Sequence, residues 1–407
     1  MTNPIQEKCI LLGVTGSIAA YKAAELASKL AQAGAQVDTV LTQSALQFIA
    51  PLTFQSVTGR RAYTDSDLWG NEGHIQHIGL GKGADLFLIA PVSANTIAKL
   101  AHGLADNLLT VTALAAECPL ILAPAMDGGM FAHPATQANL EILRQRGAII
   151  FGPVEGRLAS GLTGLGRMME PMELMGHVRL VLSREGPLTG RKVMVTAGGT
   201  QEPIDPVRML ANRSSGKQGF ALAQAALDLG AEVILISGPV HLTTPVGAQQ
   251  VSVHTVQEMQ DVVMGSLSGV DLLIMAAAVA DFRPVISVEQ KIKKGGELPE
   301  IRLETTPDIL TSVSKYKSEK GWPRYTVGFA AESQDLLKNA RSKLLSKKLD
   351  LMVANDITGE DAGFGVDTNR VALLYPDGRE ESLPLMSKEQ VAELVMERVV
   401  SQLLTKF

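Results

Sequence analysis

The residues best suited to do chemistry in this chain lie at 198–219, GGTQEPIDPVRMLANRSSGKQG, where glycines enclose Arg208, Asn212, Arg213, two serines and Lys217. Residues 192–196 read as a buried strand, and residues 220–229 carry small and apolar side chains at helical spacing, so the stretch joins a strand end to a helix start. Unpaired backbone N–H groups and the positive end of a helix dipole converge at such a junction. Glycine there lets a phosphate approach with no Cβ in the way. An ordinary strand-to-helix loop is only a handful of residues long. The length and polarity of this one point to an anion or nucleotide site.

More polar groups follow in the second half. Asp281 ends the run MAAAVAD at 275–281, KIKK follows at 291–294, TPDIL at 306–310 and VGFAAE at 327–332, and Lys343 and Lys347 precede a strand at 350–355. Lysines convergent on a glycine-rich loop suit a triphosphate, and Asp281 could hold a base, a sugar or a magnesium-bridged phosphate. In the first half, strands at 8–14, 85–90 and 120–123 run into GSIAAYK, PVSANT and PAMDGGM. Ligands bind at the carboxyl ends of strands in open α/β sheets, so residues 16–18, 42–44, 93–96 and 126–130 should line one crevice. GRLASGLTGLGRM at 156–168 holds four glycines and reads either as a mobile loop or as a lid over a substrate. His77 comes with a companion crevice, whereas His241 and His254 have no accompanying motif and read as ordinary surface or packing residues.

These groups need two scaffolds to position them. At 407 residues the chain exceeds one ordinary core, and abundant Gly, Ala, Val, Leu and Ile with few aromatics suit parallel strands covered on both faces. Strand, glycine turn, helix and strand occur in that order at 8–42 and again at 192–237. The expected fold is therefore α/β, two tandem Rossmann-like doubly wound domains. The polar SREGPLTGR at 183–191 marks the boundary, giving domains 1–186 and 187–407. A turn region at 361–369, a strand at 370–375 and an amphipathic helix at 388–404 read as scaffold. A net charge of −5 argues against a nucleic-acid surface. Cys9 and Cys118 form neither a disulfide framework nor a metal spacing. With no bilayer-length apolar run and no signal-peptide pattern, the expectation is a soluble, cytoplasmic protein without membrane partners.

GVTGSIAAYK, PVSANT, PAMDGGM and HIGLGKGADL together resemble the flavin-dependent cysteine decarboxylases. GGTQEPIDPVR, ANRSSGKQG, AAAVADF and KIKK resemble phosphopantothenate–cysteine ligase. Their order in one chain is similar to the bacterial bifunctional enzymes of coenzyme A synthesis, over nearly the whole length. For the second half the resemblance implies that CTP activates 4′-phosphopantothenate as an acyl-cytidylate with loss of pyrophosphate, and that the amine of cysteine then displaces CMP. A carboxylate is a poor acyl donor until its oxygen belongs to a good leaving group. On the matching positions, Asn212 would hydrogen-bond the acyl-phosphate and Lys291 would stabilise phosphoryl charge. Met275, Ala276, Ala277, Asp281, Pro307, Asp308, Ile309, Leu310, Phe329, Lys343 and Lys347 would hold CTP with Mg2+, and Lys291 also belongs to that set. No position is singled out as a metal ligand.

For the first half the resemblance implies FMN at Gly16, Ser17, Ile18, Ser44, Ser93, Asn95 and Thr96, with His77 as the base. The flavin would oxidise the thiol of phosphopantothenoylcysteine to a thioaldehyde. The C=S group accepts the electrons left as CO2 departs, and reduced flavin returns hydride to give 4′-phosphopantetheine. Asp127 stands where many members have Asn, and Ser160 where many have a flap cysteine. An amide can donate to a substrate carboxylate, whereas an ionised Asp only accepts. Asp127 is protonated, faces another group, or promotes CO2 loss by repulsion, and Ser160 would relay a proton as a much weaker acid than a thiol. The alternative is an active ligase joined to a flavoprotein half that stops at the ene-thiol or is inactive. The resemblance also implies a homo-oligomer built on N-terminal trimers, up to a dodecamer, with ligase-domain dimers.

Overall fold

The computed structural model describes residues 3–69, 76–159, 161–293, 300–332, 335–356, 363 and 365–403. The chain forms two compact units, Pro4–Leu182 and Ser183–Phe407, the latter with Met1–Asn3.

The first unit runs β1 (Cys9–Val14), α1 (Ala20–Gln32), β2 (Gln36–Leu41), α2 (Pro51–Thr58), β3 (Ala62–Tyr63), α3 (Gln76–Gly83), β4 (Leu86–Val92), α4 (Ala94–His102), α5 (Leu108–Ala115) and β5 (Leu120–Pro124). It continues with α6 (Gly128–Ala132), α7 (Pro134–Gln145), β6 (Ile149–Ile150), β7 (Val154–Arg157), β8 (Thr163–Arg167) and α8 (Pro171–Leu182). Its parallel sheet has the order β3-β2-β1-β4-β5-β6. Successive side chains on a strand face opposite ways, and both faces are buried here. Thus Leu86, Leu88 and Ala90 of β4 enter the core that holds Ala23 and Leu26 of α1, while Phe87, Ile89 and Val92 enter the core that holds Ile97 of α4 and Leu109 of α5. The strand order reverses between β1 and β4, which opens a crevice at their carboxyl ends. Residues 156–168, expected to be a loop, form most of the β7–β8 antiparallel ribbon, with a register irregularity between Val154 and Glu155.

The second unit contains β9 (Lys192–Ala197), the hairpin β10 (Gln201–Pro203) and β11 (Met209–Ala211), α9 (Lys217–Asp228), β12 (Glu232–Ser237), β13 (Gln249–Ser252), α10 (Val256–Ser266) and β14 (Leu272–Met275). There follow the ribbon β15 (Phe282–Pro284) with β16 (Leu303–Thr305), α11 (Ile309–Lys320), β17 (Tyr325–Glu332), α12 (Leu336–Ser346) and β18 (Leu351–Asp356). Last come β19 (Thr368–Asn369), β20 (Val371–Leu374), β21 (Glu380–Ser382), β22 (Met386–Ser387) and α13 (Lys388–Leu403). The main sheet has the order β13-β12-β9-β14-β17-β18-β20-β21. It is parallel from β13 through β18, and β20 and β21 join antiparallel. One core packs Met194 and Leu273 against Met259 and Val263 of α10 and Val313 of α11, and α9 covers β9 and β12 on the other face together with α13. Both units are thus the doubly wound α/β folds expected from the sequence.

Candidate functional site

In the second unit a cavity of ≈ 710 Å3 opens at the carboxyl rim of the sheet. One wall is the end of β14, Met275 with Ala276 and Ala277, followed by Asp281. Pro307, Asp308, Ile309 and Leu310 at the start of α11 continue it, with Phe329 of β17, Lys343 of α12 and Lys347. Asn212, Arg213 and the start of α9 also line it, as does Lys388 of α13. The lining therefore gathers Asn212 and every residue expected to hold the nucleotide except Lys291. Lys291 is exposed and lies outside it.

Buried threonines set these walls. Thr196 Oγ1 accepts from the Ala277 N–H at 3.2 Å and Thr200 Oγ1 from the Ala280 N–H at 2.9 Å, which pins the exit of β14 to the exit of β9. Asn212 Nδ2 donates to the Val279 carbonyl at 2.9 Å, fixing the plane of its amide. Gly216 starts α9 with φ 75° and no side-chain cap, so the first turn of that helix presents backbone N–H groups to the cavity.

The charge balance of the lining favours an anion: Arg213, Lys217, Lys343, Lys347 and Lys388 face only Asp281 and Asp308. Lys347 pairs with Asp308 and donates to Thr311 Oγ1 at 2.7 Å. Burial alone would raise the Asp308 carboxyl; Lys347 and the Thr311 N–H outweigh it and hold it below the usual carboxylate range. Lys217 pairs with Asp367, and Lys388 donates to the carbonyls of Gly363 and Val366. Burial, aided by Lys217, pulls the Lys388 ammonium below its ordinary value. The amide oxygen of Asn355 is buried in the same lining and has no hydrogen-bond partner among the described residues, a cost that a donor on a bound molecule would offset.

In the first unit the expected flavin residues come from three adjacent strands, β2, β1 and β4. Gly16, Ser17 and Ile18 follow β1, Ser44 follows β2, and Ser93, Asn95 and Thr96 begin α4. A Cβ on Gly16 would sit 2.6 Å from Ser44 Cβ, so only glycine permits this approach of the two loops. Thr15 Oγ1 donates to the Pro91 carbonyl at 2.9 Å and accepts from the Ser93 N–H at 2.9 Å, closing the switch point as Thr196 does in the second unit. Ser93 caps α4 by accepting from the Thr96 N–H at 3.3 Å, Thr96 is buried, and Ile18 is 60% exposed beside them. His77 lies half-buried in the first turn of α3; that helix crosses from β3 back to β4, which puts its start toward the carboxyl rim.

A second space, of ≈ 500 Å3, lies between the start of α6 and the β7–β8 ribbon and is lined by Asp127, Phe131, Leu158 and Leu162 among others. Asp127 caps α6 by accepting from the Gly129 N–H at 2.9 Å. Gly166 carries the ribbon against this turn: its would-be Cβ lies 2.2 Å from the Met126 carbonyl oxygen. Ser160 lies outside the described residues. Thr15, Thr196, Thr200, Asn355 and Lys388 escaped sequence reasoning. For the threonines and Asn355 the signal available was a polar residue at or near a strand end; Lys388, at the start of α13, carried none.

Comparison with known proteins gives the same division. A family described as Flavoprotein matches residues 2–182, and one described as DNA/pantothenate metabolism flavoprotein C-terminal domain matches residues 188–403. The Coenzyme A biosynthesis bifunctional protein CoaBC of Bacillus subtilis (strain 168) is 44% identical over 400 residues, covering 98% of this chain and 98% of its own. The protein of that name from Vibrio cholerae serotype O1 is 46% identical over 399 residues, covering 97% and 98%. A crystal structure of the C-terminal domain of a Coenzyme A biosynthesis bifunctional protein CoaBC shares 37% identity, with 54% of this chain and 98% of that chain covered and a TM-score of 0.45.

Proposed function

We propose, from the premise that this chain belongs to the family of bifunctional coenzyme A biosynthesis proteins, that its two sheet rims catalyse two successive reactions of that synthesis. The second unit is a phosphopantothenate–cysteine ligase and the first a phosphopantothenoylcysteine decarboxylase. The reading with an inactive flavoprotein half is not favoured, because the relatives named as bifunctional match from end to end. The finer reading divides the chain into domains 1–186 and 187–407. It places them in the cytoplasm as a homo-oligomer of trimer-linked decarboxylase and dimeric ligase domains.

The observation that carries the ligase reading is the cationic cavity whose lining gathers Asn212 with Asp281, Asp308, Lys343 and Lys347. CTP fits its charge, and Mg2+ bound with it would neutralise part of the triphosphate charge. A carboxylate oxygen of 4′-phosphopantothenate attacks the α-phosphorus and pyrophosphate leaves. The cysteine nitrogen then attacks the acyl carbon and CMP leaves with the bonding pair. Asn212, held by Val279, orients the acyl-phosphate, and Lys291 offsets charge on the phosphoryl oxygens as they are crowded.

In the first unit the close Gly16–Ser44 approach, the Thr15 lock and the start of α4 at the end of β4 fit FMN held by Gly16, Ser17, Ile18, Ser44, Ser93, Asn95 and Thr96. Bound there, FMN supplies two-electron chemistry at the substrate thiol, which turns the neighbouring carbon into an electron acceptor for decarboxylation. His77 takes a substrate proton, Asp127 shapes the turn against the ribbon, and Ser160 delivers a proton at the end.

The test is to give the purified protein phosphopantothenoylcysteine and weigh the product. Phosphopantetheine is expected; the ene-thiol alone would refute the full reductive sequence. Pyrophosphate release that does not require both CTP and phosphopantothenate would refute the ligase step.

A further inference from the structure

One carboxylate joins two segments of the second unit that are remote in sequence. Asp205, in the turn between β10 and β11, is 4% exposed and its side chain is wholly covered. Its Oδ1 accepts from the N–H groups of Val207 and Arg208, each at 2.8 Å. Its Oδ2 accepts from Arg208 Nη1 at 3.0 Å and from the Ile292 N–H at 3.1 Å, a bond spanning 87 residues. Arg208 Nη1 also donates to the Ile292 carbonyl at 3.3 Å, and the Val288 N–H donates to the Ile204 carbonyl at 3.1 Å. Burial would raise the Asp205 carboxyl, and these donors hold it below the usual range, ionised at neutral pH.

The peptide so held is the one directly after Lys291. Lys291 sits on an exposed segment, since residues 285–291 are all exposed, and a long side chain on such a segment has no placement of its own. The same turn leads through β11 to Asn212. We propose that Asp205 is a positioning residue of the ligase reaction, holding the Lys291 peptide in fixed relation to the hairpin that carries Asn212. This rests on Lys291 acting on phosphoryl charge.

Asp205→Asn keeps the shape but turns one acceptor into a donor. With its oxygen kept on the Val207 and Arg208 N–H groups, the new NH2 faces the Ile292 N–H and the guanidinium, and the bond that fixes the Lys291–Ile292 peptide is lost. Misplacing a charge-stabilising group by about 1 Å costs on the order of 100-fold in rate. The expected result is a fall of about that size in kcat/KM for pyrophosphate release. Ile292→Pro removes the same hydrogen bond from the other partner and is expected to reproduce the defect without touching the hairpin.

The deciding measurement is a double-mutant cycle with Lys291→Gln. If Asp205 acts through Lys291, D205N/K291Q is about as slow as K291Q alone. Multiplying losses would overturn the positioning role and leave Asp205 as general support for the fold. A slow K291Q beside a D205N of wild-type rate would overturn the positioning role alone, and a K291Q of wild-type rate would overturn the reading of Lys291 together with it. Should D205N not fold, judged by thermal unfolding of the full chain, the cycle is run with I292P, where multiplying losses or a wild-type rate would overturn the positioning role in the same way.

Discussion

Gly219 lies in the first turn of α9, where that helix crosses β9, and the structure leaves no room for a side chain there. A Cβ would stand 2.5 Å from Ala197 Cβ, 3.0 Å from Ala197 Cα and 3.1 Å from the Thr196 carbonyl oxygen. Two of these neighbours are main chain and cannot rotate aside, so in Gly219→Ala the start of α9 must back away. Restoring ordinary carbon contacts of about 3.5–4.0 Å requires about 1 Å of movement. Overpacking of this kind costs about 1–3 kcal/mol in stability. The part that moves carries Ser214, Ser215, Gly216 and Lys217 on the cavity wall, and a shift of about 1 Å in such groups costs on the order of 100-fold in rate. Pyrophosphate release and thermal unfolding of the full chain measure the two effects. Gly265→Ala is the paired control: among the described residues nothing lies within 4 Å of its would-be Cβ in α10, so alanine there is expected to stabilise by about 0.4–1 kcal/mol and leave the rate unchanged. Wild-type turnover and unfolding in G219A, or equal losses in G265A, would refute the reasoning.

Two further outcomes follow from named contacts. Lys22 has only 4% of its side chain exposed and donates to the Met168 carbonyl at 3.0 Å and to Glu170 at 2.9 Å. Lys22→Met strands the Met168 acceptor, so the first unit should lose about 1–3 kcal/mol, read as an earlier urea midpoint of the flavin signal with ligase turnover unchanged. Asp308 has a folded pKa below its unfolded value; its contribution to stability is therefore present above about pH 4 and lost as pH falls through the folded value. Half of its side chain is exposed, which keeps the effect small. Urea melts of wild type and Asp308→Asn should differ at pH 6 and converge as the pH drops below about 4; a gap that widens in acid would contradict the assignment.

The two sheets were legible because each strand and its following helix is long enough to show a period. Residues 232–237 were expected as a strand and form β12 over those residues, and the apolar spacing after residue 19 gives the buried face of α1. The β7–β8 ribbon was not legible: its strands are short and glycine-rich, and their ladder is irregular, so no alternation survives in the sequence. Much of the nucleotide set could be placed at one rim because Met275, Ala276, Ala277 and Asp281 lie at or just after the end of β14. The polar locks could not. Thr15 meets Ser93 across 78 residues and Asp205 meets Ile292 across 87, distances at which sequence spacing carries no information about pairing. Lys291 marks the opposite case, a residue matched by motif whose segment the fold keeps outside the cavity lining.

The compact units draw their polar sets from separate stretches of chain, before Leu182 for one rim and after Ser183 for the other. A single recombination break in the connecting segment would transmit both sets whole. Either set can then be inherited from a different relative without splitting the other. Inherited damage is likewise partitioned, since a lesion such as one at Gly219 falls within one polar set and leaves the residues of the other unchanged.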